Sequence, residues 1–162
     1  MRLFKKKNEQ EVKTNSAIYV RGKDRTSSLS PDFISELNGK IDSLFNSFVK
    51  SSVNVCFVNG QPYNDLKEMQ DDFFNKGRLL VSLDHNESPI FDKVSNLKNR
   101  AFHDYLHCIL DAPFTYEGEK RVYKATCNFI PVKFHKILYS EFVLQTAYTV
   151  NHGNFPVQKV VY

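Results

Sequence analysis

The chain has 162 residues, of which 41% are hydrophobic and 25% are charged, and its formal net charge is +4. These values are typical of a globular domain with enough apolar residues for a core, and they argue against a disordered chain. No apolar run is long enough to cross a bilayer, so we expect no membrane span.

Residues 1–15 are polar and charged, and we predict that they form a flexible basic tail before a single globular domain over residues 16–162. The basic cluster MRLFKKK could make a weak contact with a polyanion, although a solvated tail is the simpler interpretation. AIYV at 17–20 is typical of a short strand.

Ser30 and Pro31 are an N-cap and a first helical residue, and apolar residues follow at helical spacing as far as Phe48. VNVCFV (53–58) and RLLVSL (78–83) are predicted strands, and a short helix over 66–77 lies between them.

From about residue 94 the pattern becomes helical, with breaks at Pro113 and Pro131 and a candidate cap at Thr115. The last residues, VQKVVY, are either irregular or a terminal strand. We therefore expect an α+β fold in which a small strand-and-helix N-terminal half packs on a three-helix C-terminal half.

The stretch HDYLHCILDAPFTYEGE (103–119) contains the most distinctive chemistry. His103 and His107 are four residues apart, so on a helix they share one face, which is a recurring geometry for a transition metal and above all for Zn²⁺. The break at Pro113 would let the next helix fold back and bring Glu119 to the pair. Two histidines and one carboxylate leave an open position on zinc, as catalytic sites do. The same set also suits iron or manganese.

Asp104 and Glu141 are the candidate catalytic residues. Asp104 takes the place of the glutamate in the HExxH protease motif but is one methylene shorter, which argues against a protease; it could instead orient an imidazole or ligate the metal. Glu141 and Gln145 lie four residues apart and could face the histidines, with Glu141 as a general base or a fourth ligand. A salt bridge is an equal alternative for Glu141, and His135 is a spare ligand.

Two resemblances are carried by this stretch. His103, Asp104, His107 and Glu119 match the HDxxH-x11-E signature of a coenzyme Q biosynthesis family that is thought to bind zinc in a helical fold. Residues 100–148 also resemble uncharacterised phage-encoded proteins. The residues that carry that second resemblance are Arg100, Phe114, Gly118-Glu119, Ser140-Glu141 and Gln145. Both resemblances imply a metal rather than a particular activity.

Two functions follow as expectations. The first is a metal-dependent hydrolase or lyase with zinc as its cofactor. The second is a non-enzymatic phage virion or interaction protein, with virion assembly as its partnership and a structural His pair. An HD-type phosphohydrolase built on His85, His103-Asp104 and Asp111 is a weaker alternative. Three cysteines without CxxC spacing indicate free thiols and the cytoplasm, which for a phage-encoded chain means the host cytoplasm or the virion.

Overall fold

The computed structural model describes residues 2–162, with side chains from residue 8 onward. The chain is a mostly helical α+β fold with a small parallel sheet. Its helices are α1 (Arg2–Arg21), α2 (Pro31–Leu44), α3 (Leu66–Lys76), α4 (Lys93–Leu110), α5 (Tyr116–Cys127), α6 (His135–Tyr139) and α7 (Gln145–His152), and its strands are β1 (Asn54–Val58) and β2 (Arg78–Ser82). Among these residues, no helix has both the length and the apolarity to cross a membrane.

Two wide turns of π-helix extend the regular helices. Phe45–Val49 prolongs α2, and Ser140–Leu144 joins α6 to α7, so that residues 135–152 form one continuous helical segment. A π turn inserts an extra residue into a helix, and such insertions are frequent at functional sites. The second of these turns contains Glu141.

The cap of α2, the end of α3 and the two strands agree with the sequence predictions. Ser30 caps α2, and its Oγ accepts a hydrogen bond from the backbone N–H of Phe33 at 3.2 Å. Gly77 ends α3 in the left-handed conformation, with φ of 62°, and β2 begins directly after it. The two predicted strands are confirmed, and they pair in parallel with Val55 opposite Leu79.

Helix α4 is central to the packing. It contacts α2, α3, α5 and β2, and its Phe102 is almost fully buried. Leu37 and Ile41 of α2 and Phe134 and Leu138 near α6 complete the same core cluster.

The N-terminal segment differs from the expectation. From Arg2 onward the expected tail over residues 1–15 belongs to α1, which packs against α7. Asn15 is buried, and its Nδ2 donates to the hydroxyls of Tyr116 at 2.6 Å and Tyr139 at 3.0 Å. The predicted strand at 17–20 is wrong, because these residues form the last turns of α1. Met1 and the side chains of the basic cluster lie outside the described residues.

The C-terminal residues 153–162 are irregular and form no strand. The backbone N–H of Arg25 donates to the carbonyl of Val160 at 2.7 Å, and the N–H of Val161 donates to Ser140 Oγ at 2.9 Å. Val160 and Val161 are buried. The three cysteines are free thiols, as predicted.

Candidate metal centre

Helix α4 presents His103 and His107 on successive turns, with ring centroids 4.6 Å apart. Asp92 caps the start of the helix, where its carboxylate accepts from the N–H of Ser95 at 2.8 Å. Asp111 ends it in the left-handed conformation, with φ of 50°. The predicted helix around the His pair is therefore confirmed, and the pair lies near its C-terminal end.

Gly118 allows α5 to approach this helix closely. A Cβ at residue 118 would lie 1.8 Å from the carbonyl oxygen of Pro113, so no other residue fits without moving the backbone. The hydroxyl of Thr115 caps α5 by accepting from the N–H of Gly118 at 3.2 Å. Glu119, the next residue, is thereby held against α4.

The structure brings His103, His107 and Glu119 together. His103 Nε2 donates to Glu119 Oε2 at 2.7 Å, and His107 Nε2 lies 3.1 Å from Glu119 Oε1. One ligand atom from each residue lies within 4.8 Å of the other two. Each of the three is a common zinc ligand, so the donor set fits a divalent transition metal.

The imidazole of His107 supplies an independent test of that fit. It is fully buried, and Nδ1 lies 2.6 Å from the carbonyl oxygen of Ala112, to which it must donate. Nε2 has no hydrogen bond with any described residue, although it faces the Glu119 carboxylate. In the neutral ring this leaves a lone pair on Nε2 directed at an anionic oxygen. Metal-binding histidines have this arrangement, with the other nitrogen fixed by a carbonyl.

Without a metal, the attraction between opposite charges determines the protonation states of His103 and Glu119. Burial by itself would lower the pKa of His103, but the Glu119 and Asp104 carboxylates outweigh it and raise that pKa. Burial likewise opposes ionisation of Glu119, but the nearby His103 outweighs it and holds the pKa of Glu119 at about 2. The apo site is therefore an imidazolium–carboxylate pair.

Asp104 lies beside this pair but outside the ligand group. Its Oδ1 is 3.6 Å from His103 Nδ1, which is longer than a normal hydrogen bond, and its side chain is 27% exposed. This position suits the orienting role considered for Asp104 better than the ligand role.

A cleft with a volume of about 590 Å³ opens beside the three residues. Glu141 and Gln145 line it, and Gln145 Nε2 donates to Glu141 Oε1 at 3.2 Å. Burial raises the pKa of Glu141 to about 8, against the lowering effect of that hydrogen bond. Glu141 forms no salt bridge with the described cations, and it is not part of the three-residue ligand group.

The remaining sequence candidates are not assembled into a site. His135 Nε2 donates to the carbonyl of Ile130 at 2.8 Å, away from the cleft. Asp111 accepts from Gln70 at 3.1 Å and does not line the cleft, whereas His85 does. The His85–Asp111 arrangement of an HD-type phosphohydrolase is therefore not formed among the described residues.

Sequence reasoning missed two cleft residues, Asn99 and Gln158, whose side-chain oxygens are buried without a partner. Asn99 precedes His103 by four residues, so helical spacing alone would have placed it on the same face. Gln158 gave no such signal. No family model, curated protein or solved structure matches this chain.

Proposed function

We propose that this chain binds a divalent transition metal, zinc in the first instance, through His103, His107 and Glu119. The observation that carries the proposal is the buried Nε2 of His107, which lies at ion-pair distance, 3.1 Å, from the Glu119 carboxylate but makes no hydrogen bond with any described residue. A buried polar atom without a partner costs about 1–3 kcal/mol, and a metal ion would remove that cost.

The spacing of the three residues supports this proposal. Bonds of about 2.0–2.1 Å to a tetrahedral zinc place neighbouring ligand atoms about 3.3 Å apart. The two contacts made by Glu119 are 2.7 Å and 3.1 Å, so an outward shift of a few tenths of an ångström would accommodate the ion. The cleft gives ligands access to the remaining coordination position.

The reaction that suits this donor set is metal-dependent hydrolysis or elimination. A bound metal would supply Lewis-acid polarisation of a substrate oxygen and activation of water. Glu141 would act as the proton donor in this reaction, because its carboxyl group holds a proton near neutral pH. The hydrogen bond from Gln145 fixes the orientation of that carboxyl group. Asp104 lies 3.6 Å from the Nδ1 of His103, where a small movement would let it orient that ring.

The alternative is a non-enzymatic phage virion or interaction protein in which the His pair is structural. The 2.7 Å contact between His103 and Glu119 favours it, since this ion pair joins α4 to α5 without any metal. Under this alternative the chain would act in the host cytoplasm or in the assembled virion, and Glu141 would have no chemical role.

Elemental analysis of purified protein tests the metal assignment. We expect about one zinc, iron or manganese ion per wild-type chain, and its loss in His103→Ala and His107→Ala. His135→Ala is the matched control, because that histidine binds a backbone carbonyl outside the cleft, and it should retain the metal. A wild-type protein that takes up none of the three metals, or that loses metal equally in His135→Ala, contradicts the proposal.

A further inference from the structure

Asn99 extends the row of side chains that contains the candidate ligands. Asn99, His103 and His107 follow one another at intervals of four residues on α4, and all three line the cleft. Side chains at this spacing are about 5–6 Å apart at their Cβ atoms. The amide of Asn99 therefore lies one helical turn from the candidate metal ligands.

The Asn99 side chain is buried, and its amide oxygen is unpaired among the described residues. The residue is 6% exposed, and its Oδ1 has no hydrogen-bond donor among the described residues. Asn96, one turn earlier on α4, is also buried and lines the same cleft, but its Nδ2 donates to Asn86 Oδ1 at 2.8 Å. Asn96 thus has a structural hydrogen bond, whereas the Asn99 oxygen has no partner among the described residues.

Gln158 supplies a second unpaired acceptor to the same cleft. Its Oε1 is buried without a partner among the described residues. The backbone around it is fixed, because the N–H of Lys159 donates to the Tyr19 hydroxyl at 3.1 Å and the N–H of Val161 donates to Ser140 Oγ at 2.9 Å. The backbone position from which the Gln158 side chain enters the cleft is therefore set by the fold.

The other charged groups of the cleft argue against an anionic ligand. Arg100 Nη1 already donates to the carbonyls of Ser82 at 2.7 Å and Asp84 at 2.8 Å. The lining holds four carboxyl groups, those of Glu87, Asp104, Glu119 and Glu141, against one guanidinium, that of Arg100. The cleft is thus rich in acceptors, which suits a ligand that presents N–H donors.

We propose that Asn99 and Gln158 form a subsite for an amide-bearing ligand, whose N–H groups donate to the two side-chain oxygens while another part of the ligand reaches the metal. The inference rests on the proposed metal site and adds the class of substrate. A primary-amide side chain carries an acceptor and a donor side by side, so Asn99 can pair with both atoms of a ligand amide.

Calorimetry with two hydroxamates tests the subsite, since hydroxamates bind zinc directly. N-acetylglycine hydroxamate has an amide one link from its metal-binding group, and pentanoyl hydroxamate has the same chain length without the amide. We expect zinc-loaded wild type to bind the amide probe about five to ten times more tightly. Asn99→Leu should remove the preference and retain zinc.

The binding outcomes separate the two proposals. Equal affinity for the probes, an unchanged preference in Asn99→Leu, or failure of both probes to bind zinc-loaded protein would overturn the subsite and leave the metal assignment intact. Failure of wild type to bind zinc, iron or manganese would contradict the metal site itself, and with it the subsite. Independently of the metal, the stability of the metal-free protein tests whether Asn99 has a structural role.

That stability comparison uses the two asparagines. Asn99→Leu should raise the melting temperature of metal-free protein by about 2–4 °C, because it replaces a buried amide whose oxygen has no donor among the described residues. Asn96→Leu should lower it, because it leaves Asn86 without its donor. A fall in Asn99→Leu equal to that in Asn96→Leu would assign Asn99 a structural role and overturn the inference.

Discussion

Gly118 and Pro113 are in such close backbone contact that a side chain at residue 118 would overlap the carbonyl oxygen of Pro113. The contact sets the distance between the first turn of α5 and the end of α4. Since Glu119 follows Gly118 directly, the same contact places the carboxylate beside the two imidazoles. The geometry of the candidate centre thus depends on a residue that bears no ligand atom.

Gly118→Ala should therefore disturb the centre. The added methyl group must push α5 away from the Pro113 loop, and we expect a loss of about 1–3 kcal/mol in the free energy of unfolding together with weaker zinc binding. Gly39→Ala is the matched control, because no atom lies within 4 Å of the added Cβ and the helix would gain about 0.5–1 kcal/mol. Urea unfolding and zinc titration measure both effects. Unchanged zinc affinity in Gly118→Ala would show that the contact does not position Glu119.

Glu141 should make stability depend on pH in the metal-free protein. Burial raises its folded-state pKa to about 8 from an ordinary value of 4.5, and the groups near it include Tyr19 and Gln145. A raised carboxyl pKa favours the folded state at low pH, so this contribution is complete below pH 4.5 and is lost as pH rises towards 8. Glu141→Gln should flatten the profile over that range. An unchanged slope in denaturant titrations from pH 5 to 8 would contradict the assignment.

The same variant tests whether Glu141 is needed for the structure. If Glu141 only transfers protons, Glu141→Gln should retain the fold and its metal, since glutamine preserves the hydrogen bond with Gln145. Circular dichroism and metal content measure these two properties. Unfolding of Glu141→Gln would mean that Glu141 is needed for the structure, and its assigned catalytic role would lose support.

Asp72, which is not part of the candidate centre, should control stability in acid. It is buried beneath Tyr63 and pairs with Lys76 at 2.7 Å and Arg78 at 3.0 Å, and hydrogen bonds from these two cations lower its pKa to about 2. A lowered pKa stabilises the fold above an ordinary value of 3.8, and this contribution is lost as pH falls towards 2.

Asp72→Asn should cost about 1–3 kcal/mol at neutral pH and should shift the acid unfolding midpoint. Asp71→Asn is a suitable control, because Asp71 is exposed although it also contacts Lys76. Acid titrations followed by circular dichroism measure the midpoints. Equal effects of the two substitutions would contradict a special role for the buried carboxylate.

The sequence predicted α4 and the close approach of His103, His107 and Glu119 because their signals are local. The four-residue spacing of His103 and His107, the break at Pro113 and the cap at Thr115 are each determined within a few residues. That the Asn99 Oδ1 atom has no hydrogen-bond donor was not predictable, because it depends on residues that are distant in the sequence. The interpretation of Gln158 depends equally on distant packing.

Helix α1 was missed because its buried face is partly polar. Val12, Asn15, Ser16 and Tyr19 are buried at helical spacing, but two of these four are an amide and a hydroxyl. A search for apolar periodicity does not detect such a face. The hydrogen bonds of Asn15 with Tyr116 and Tyr139 stabilise it instead, and those partners are more than 100 positions away along the chain.

The most direct test of the metal site is a crystal structure of zinc-soaked protein, with anomalous scattering measured at the zinc edge. We expect one strong peak about 2.0–2.1 Å from the Nε2 atoms of His103 and His107, with Glu119 moved outward to complete the set. His107 Nδ1 should keep its hydrogen bond to Ala112. A map without a peak at this position, in which His103 and Glu119 remain in direct contact, would contradict the account.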